Sequence, residues 1–211
     1  MNKRGDTIFA IATPTGKSAI ATIRISGSLA FEIVKKISLN MPQDHSVAKV
    51  NMIISKENER IDQTITTIFK SPKSYTGENV VEITTHGSQA VINKIIRTLS
   101  GFKGLRLAEP GEFTRRAFEN NKLDLTQVEA ISDLVNSETE AQRRQALNQL
   151  SGLFSNKINK WSKKILKNLA DIEAVIDFSD EELPKNLFKK AKEQNRNIIN
   201  EMEVYLQDNK V

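Results

Sequence analysis

Along the first 118 residues the apolar positions switch repeatedly between a period of two and a period near 3.6, the signatures of strand and helix. Residues 7–12 and 19–26 are β-rich runs joined by Pro14-Thr15-Gly16-Lys17-Ser18, a hairpin-type connection. Ser26-Gly27-Ser28 opens a short amphipathic helix over residues 29–37. Strands are predicted at 47–55 and 61–69, followed by a loop from Ser71-Pro72 through Thr76-Gly77 and a further strand at 79–86. Gly87-Ser88 leads into a helix with Val91, Ile95 and Leu99 on one side. A short strand near 105–108 ends at Pro110-Gly111, and a short helix then carries Phe113, Ala117 and Phe118. Strands and helices follow no strict alternation, which predicts an α+β domain built on one mixed sheet.

From residue 119 onward the pattern is helical. Thr126-x-x-Glu129 and Ser137-x-x-Glu140 both match a capping box, a hydroxyl cap with a carboxylate three residues on. Apolar residues then recur from Leu147 through Phe154, Trp161 and Leu169 to Ile176 at a mean spacing of about 3.6, the period of a straight helix. One continuous helix is predicted over 138–176, with Gly152 tolerated inside it at about 1 kcal/mol. An acidic stop follows at 177–184, and then an amphipathic helix with Leu187, Ala191, Ile198, Met202 and Tyr205 on its apolar side. So long an apolar stripe needs covering helices, and the chain supplies few, so part of it is expected to be exposed. The expected domains are 1–118, α+β, and 119–211, all-α.

Two strand positions break the apolar pattern. In 80–86 the two-residue period puts Glu82, Thr84 and His86 on one face and Val81, Ile83 and Thr85 on the other. A mid-strand carboxylate between branched apolar residues requires a partner. Arg24, in Ile23-Arg24-Ile25, is the same anomaly with the opposite sign. Either the two form a cross-strand ion pair or solvated outer-face side chains, or both face a polar heterocycle. In the latter case the carboxylate accepts from an amino group and a ring N–H while the guanidinium donates to carbonyl or carboxylate oxygens. His86, just before Gly87, reads as a structural histidine, and Lys122 as an exposed loop lysine.

Composition narrows the chemistry. The chain has 211 residues, no cysteine and only two histidines, His45 and His86, which excludes disulfides, thiolate chemistry and a histidine-rich metal centre. No run reaches the length of a membrane span and no leader opens the chain, which gives a cytoplasmic reading. The net charge is +5. It is uneven: residues 1–118 carry 17 Lys and Arg against 10 Asp and Glu, residues 119–211 carry 14 against 16. A basic first part suits an anionic partner. Gly16-Lys17-Ser18 imitates the end of a P-loop, but position 11 is Ile11 and the tripeptide lies between strands. Asn121-Lys122-Leu123-Asp124 imitates the guanine-reading NKxD with no P-loop before it. The chain is therefore expected neither to bind nor to hydrolyse GTP.

Several motifs together are specific. Thr7-Ile8, Ala12-Thr13-Pro14, Ile23-Arg24-Ile25-Ser26-Gly27, Ser74-Tyr75-Thr76-Gly77-Glu78-Asn79-Val80-Val81-Glu82 and His86-Gly87 follow one another in order. They continue with Leu107-Ala108-Glu109-Pro110-Gly111-Glu112-Phe113-Thr114, Arg116-Ala117-Phe118, Lys122-Leu123-Asp124-Leu125-Thr126-Gln127, Asp133-Leu134-Val135 and Ile176-Asp177-Phe178. Over about 5–183 the chain resembles the MnmE (TrmE) family of tRNA-modification GTPases.

That resemblance implies an amino-terminal α+β domain, similar to the tetrahydrofolate-binding domain of aminomethyltransferases, that dimerises and binds 5-formyltetrahydrofolate. It implies a helical domain after it, interrupted in the family by a GTPase domain using GTP, magnesium and potassium. With the flavoprotein MnmG, the family installs aminomethyl or carboxymethylaminomethyl groups at carbon 5 of the tRNA wobble uridine. The folate-contacting positions of its motifs fall on Arg24, Glu82 and Lys122; no catalytic residue and no metal ligand is assigned in this chain. Thr15 stands where the family usually has a second proline, and Ser88 where it has a second glycine; serine is a good helix cap there. The GTPase domain and a terminal cysteine motif are expected to lie beyond Val211. The alternatives are a stand-alone folate-dependent one-carbon transferase, with His86 or Glu78 as acid or base, and a purely structural helical interaction module.

Overall fold

The computed structural model describes residues 5–14, 16–177 and 186–208. Thr15 and the acidic stretch 178–184 expected to stop the long helix lie outside those residues. The chain divides into two compact units, Met1–Val128 and Glu129–Val211.

The first unit holds strands β1 (Thr7–Ile11), β2 (Ile20–Ser26), β3 (Ala48–Ile54), β4 (Arg60–Phe69), β5 (Val80–His86) and β6 (Leu105–Leu107). They form one sheet in the order β3-β4-β5-β2-β1-β6. Every pairing is antiparallel except β1 with β6. The sheet is therefore mixed, and with its helices the unit is α+β. Helices α1 (Ala30–Lys36) and α2 (Gln89–Ser100) follow β2 and β5. Alternate side chains of the central strands (Phe9, Ile23, Ile25, Val81 and Ile83) are fully buried with Val34, Ile37, Ile95 and Leu99 of the helical segments. At roughly 1.5–3 kcal/mol per buried aliphatic side chain, this face holds the unit together.

Gly27, in the turn from β2 to α1, has φ +136°, and a Cβ there would lie 2.7 Å from the Thr7 Cα. No other residue fits that approach. The same contact lets the Thr7 hydroxyl accept the Leu29 N–H (3.0 Å), so the start of α1 is satisfied from β1 and not by Ser28. Ser88 occupies the N-cap of α2, but its hydroxyl makes no capping bond. The capping role expected of that serine is thus not realised.

The opposite face of the sheet stays open over much of its area. Val50 of β3 stands beside Ile65 of β4, which stands beside Thr84 of β5, which stands beside Thr22 of β2. Val50, Ile65 and Ile20 are more than half, or half, exposed. Only the end near Ile8, Ser26 and Val80, all buried, is closed over.

The rest of the chain is helical, with both expected capping boxes displaced and the expected long helix interrupted. The division between the units falls inside α4 (Leu125–Val135). The box that starts this helix is Asp124 with Gln127, not Thr126 with Glu129. The Asp124 carboxylate accepts from the Gln127 N–H (2.9 Å), and the Gln127 amide oxygen accepts from the Asp124 N–H (3.0 Å). A carboxylate two residues earlier outcompetes the threonine hydroxyl, which itself donates to Asp124. Helix α5 (Glu140–Leu150) likewise starts from a Thr139–Gln142 box, while the Ser137 hydroxyl donates to the Leu134 carbonyl at the end of α4.

The long helix is broken. Helix α5 ends at Ser151, and Gly152, at φ +83°, turns the chain before α6 (Leu153–Asp177). The helix-period pattern runs through the break, and the left-handed glycine marks it. Helix α7 (Leu187–Asp208) packs on α6. Phe154 stacks on Tyr205 at 5.4 Å between centroids, and the Trp161 indole donates to Glu201 (2.8 Å). Ile158, Ile165, Leu169 and Ile176 remain partly or largely exposed, as the unpartnered stripe predicts.

Candidate functional site

Arg24 and Glu82 are direct cross-strand partners in the β2–β5 register. The Arg24 Nε donates to Glu82 Oε1 at 2.8 Å, so the ion-pair alternative is realised on the open face of the sheet. Each side chain is 28% exposed. The pair is unsaturated: among the described residues, no hydrogen bond reaches Glu82 Oε2 or the two terminal nitrogens of Arg24.

Two rings flank it. The Arg24 guanidinium carbon lies 5.3 Å from the Tyr75 ring centroid and 5.7 Å from that of Phe113. Tyr75 is carried by the loop between β4 and β5, which is tied to itself by Ser71, Ser74 and Gly77. Its hydroxyl hydrogen-bonds Thr114 (2.9 Å) of helix α3 (Glu112–Glu119), the element that also supplies Phe113. Lys122 is not in contact with the pair. It follows α3, its stem lies against Gly77, and its ammonium donates to the Pro72 carbonyl (3.1 Å). Arg24 and Glu82 are thus brought together, while Lys122 rests against the loop that carries Tyr75.

The position of that loop and of α3 is fixed by a buried charge cluster that pattern reading did not single out. Glu112 is 1% exposed and receives both terminal nitrogens of Arg106 (2.8 and 2.7 Å), Nε and Nη2 of Arg116, and the Glu109 N–H. Hydrogen bonding from Arg106 holds its carboxyl down to about 2, against the opposing effect of burial. The same pairing raises the Arg106 guanidinium further above its ordinary range. Arg116 Nη1 reaches both oxygens of Glu78 (3.1 and 3.0 Å) and the Asp6 carbonyl. The Ser26 hydroxyl donates to Glu78 in turn. Glu112, Arg116 and Glu78 lie in motifs already quoted. What would have found them is the run of charges around Pro110-Gly111, too dense for a short surface helix.

His86 is engaged in a similar way. Its Nδ1 pairs with Asp62 at 2.8 Å and its backbone N–H donates to the same carboxylate, as does Thr85. Burial opposes ionisation of Asp62, but these bonds outweigh it and hold the carboxyl below its usual value. Four residues along the strand separate His86 from Glu82, about 13 Å. No group of three or more metal-ligating side chains is found among the described residues. The imitation P-loop residues Gly16-Lys17-Ser18 lie between β1 and β2, and Asp124 of the imitation NKxD is spent on capping α4. A separate groove of about 660 Å³ lies beside α1, with Lys35, Lys49 and Lys70 around Phe31 and Met41. No helix of the described residues is long and apolar enough to cross a membrane.

Two family models match the chain. One, described as the N-terminus of the GTP-binding protein TrmE, covers residues 7–122; the other, described as the MnmE helical domain, covers 125–211. Among relatives, the tRNA modification GTPase MnmE of Dinoroseobacter shibae is 45% identical over 188 residues, which is 89% of this chain and 44% of that protein. Those of Rickettsia typhi and Caulobacter vibrioides are each 43% identical, over 97% and 96% of this chain and 46% and 45% of their own lengths. The chain spans less than half the length of the relatives it matches.

Proposed function

The chain belongs to the MnmE family of tRNA modification GTPases, and from that premise we propose that its first unit is a folate-binding and dimerising domain. The observation that carries the proposal is the unsaturated Arg24–Glu82 pair held between two aromatic rings on an open sheet face. A structural ion pair has no use for a spare carboxylate oxygen and two spare guanidinium donors. A reduced pterin has a use for all three: its 2-amino group and ring N–H need an acceptor, and its carbonyl needs donors. Tyr75 and Phe113 supply π-faces for the ring system. Lys122, on the neighbouring loop, supplies a positive charge for the glutamate tail of 5-formyltetrahydrofolate. The bound folate would carry the one-carbon unit; the residues here bind and orient it.

The reading extends to partners. The exposed Ile20, Val50 and Ile65 on the same face suit a second copy of this chain, which would also close over an otherwise open site. The whole protein would act with MnmG on carbon 5 of the tRNA wobble uridine in the cytoplasm. We assign GTP, magnesium and potassium to no side chain among the described residues. A stand-alone one-carbon transferase is disfavoured by the two groups it would need. Glu78 is bound by Arg116 and Ser26, and His86 is bound by Asp62 far along the strand.

Calorimetry of 5-formyltetrahydrofolate against the wild type, Arg24→Ala, Glu82→Gln and Lys122→Ala tests the site. Saturable binding lost or weakened in the first two variants, with unchanged thermal melts, supports it. Wild-type affinity in Glu82→Gln sends the ligand elsewhere, the lysine-rimmed groove beside α1 being the next place to look.

A further inference from the structure

The charge of the helical unit is concentrated. Between Ala141 and Ala170 there are seven Lys and Arg and no Asp or Glu, although the chain from residue 119 onward carries a slight acidic excess. Arg143 and Arg144 share Glu140 at 2.7 and 2.9 Å, and Lys164 pairs with Glu201 at 3.0 Å. Lys157 lies over the Tyr205 ring at 4.1 Å. Lys160, Lys163 and Lys167 have no ion pair among the described residues, and all three are exposed.

Their spacing is the informative part. With Asn156 they stand at steps of four, three and four residues, which places them on one face of α6. Asn159 borders the same face. Phe154, Trp161, Ile165 and Ile172 lie about half a turn away, on the side from which Phe154 and Trp161 meet Tyr205 of α7. Phe154 and Trp161 on the apolar side of α6 are therefore engaged by α7, and the basic face lies on the other side of the helix. Between the two sides runs a groove of about 710 Å³, edged by Lys157, Lys160 and Lys164 on α6 and by Asn197 and Asn200 on α7.

We propose that this outward face of α6, Asn156, Lys160, Lys163 and Lys167, binds the phosphate backbone of RNA. A protein partner would require an apolar centre that the face lacks. A bilayer would engage the apolar side of α6, which lies about half a turn away from these lysines. Like-charged lysines about one helical turn apart repel each other unless an anion lies along them, and a polyphosphate backbone supplies repeated charge at that scale. The asparagine amides add donors without sequence preference. The choice of RNA over other polyanions rests on the tRNA-modification reading, whereas the folate site does not depend on this face.

The test is fluorescence anisotropy of an unmodified tRNA transcript titrated with the 211-residue chain between about 50 and 200 mM salt. A Lys160→Ala, Lys163→Ala, Lys167→Ala triple variant should bind about tenfold or more weakly, with a log–log salt slope reduced by about two to three. A control that removes the same charge from the first unit, Lys35→Ala, Lys49→Ala, Lys70→Ala, should bind within about twofold of wild type, and circular dichroism should show both variants folded. Equal losses in the two triples, an unaffected α6 triple, or a wild type without measurable affinity would each overturn the proposal. So would wild-type binding to phosphatidylserine vesicles that the α6 triple abolishes while tRNA binding persists. Folate calorimetry on the α6 triple separates the two readings, because it should match wild type whichever way the RNA result falls.

Discussion

The first unit contains two arginine–glutamate constellations, one between neighbouring strands and one centred on α3, and they are built oppositely. Around Glu112, the carboxylate is 1% exposed and five donor atoms converge on it, with Arg116 passing the connection to Glu78 and Ser26. Around Glu82, one bond is made and both partners keep about a quarter of their surface in water. Burial has to be matched by complete pairing, because an uncompensated buried charge costs several kcal/mol. Partial exposure removes that requirement and leaves hydrogen-bonding capacity over. Saturation, more than the presence of charge, separates a cluster that fixes α3 and the Tyr75 loop from a pair that can hold a ligand.

The strongest way to break this contrast is to neutralise each carboxylate in turn. Glu112→Gln keeps the volume but leaves Arg106 and Arg116 facing a neutral amide, and should lower the unfolding free energy by about 3–5 kcal/mol. Glu82→Gln should cost at most about 1 kcal/mol, as for an exposed pair. Urea unfolding at neutral pH measures both, and similar losses would remove the distinction.

Acid gives the next largest effect. Glu112 titrates at about 2 in the folded chain against an ordinary 4.5, so the folded state holds its proton more weakly than the unfolded one. The stabilisation is complete above about pH 4.5 and is lost as pH falls towards 2, a change on the order of 3 kcal/mol. Stability curves should therefore fall steeply in that window for wild type and far less for Glu112→Gln. Glu140 in the helical unit is also held to about 2, by Arg143 and Arg144, but it is fully exposed and its pairing is screened. A steep window that survives Glu112→Gln would place the acid sensitivity elsewhere.

The same physics explains which features could be read from the chain. The strands and the first two helices were legible because one face of each is buried and the other is not, and a period survives in sequence. Arg24 and Glu82 stood out because a charge in mid-strand contradicts that period. The Glu112 cluster was invisible to periodicity, since its members come from β6, α3 and the loop before β5 and meet only in three dimensions. The interruption of the long helix escaped the pattern for a related reason: a single left-handed glycine at 152 separates α5 from α6 without disturbing the apolar spacing on either side. Both misplaced capping boxes chose a legitimate hydroxyl over a competing cap two residues away.

Ligand affinity ranks below stability in expected size. Glu82→Gln replaces an acceptor by a donor where a pterin donor is to be received, and Arg24→Ala removes the opposing donors. Either should weaken 5-formyltetrahydrofolate by about 1–3 kcal/mol, roughly 5- to 150-fold. The contrast sharpens if neither variant shifts the melting temperature by more than a few degrees while Glu112→Gln, if still folded, binds folate with near-normal affinity. Affinity lost in step with stability across all three would mean that the two constellations act as one.

Lys122 carries the smallest expected effect, and the reason lies in its position outside both constellations. Its stem rests on Gly77 and its ammonium donates to the Pro72 carbonyl, in a side chain that is otherwise exposed. An exposed ammonium attracts an anionic tail as a screened point charge, worth about 0.2–1 kcal/mol. Lys122→Ala should thus weaken folate only about 1.5- to 5-fold and leave stability within about 0.5 kcal/mol of wild type. The diagnostic is salt. Because the contact is charge on charge, raising ionic strength should reduce wild-type affinity more than that of Lys122→Ala, and the two should converge near 1 M, where screening acts within about 3 Å. A loss as large as that of Glu82→Gln and insensitive to salt would put the Lys122 ammonium in direct, desolvated contact with the ligand and redraw the site around the Pro72–Gly77 loop.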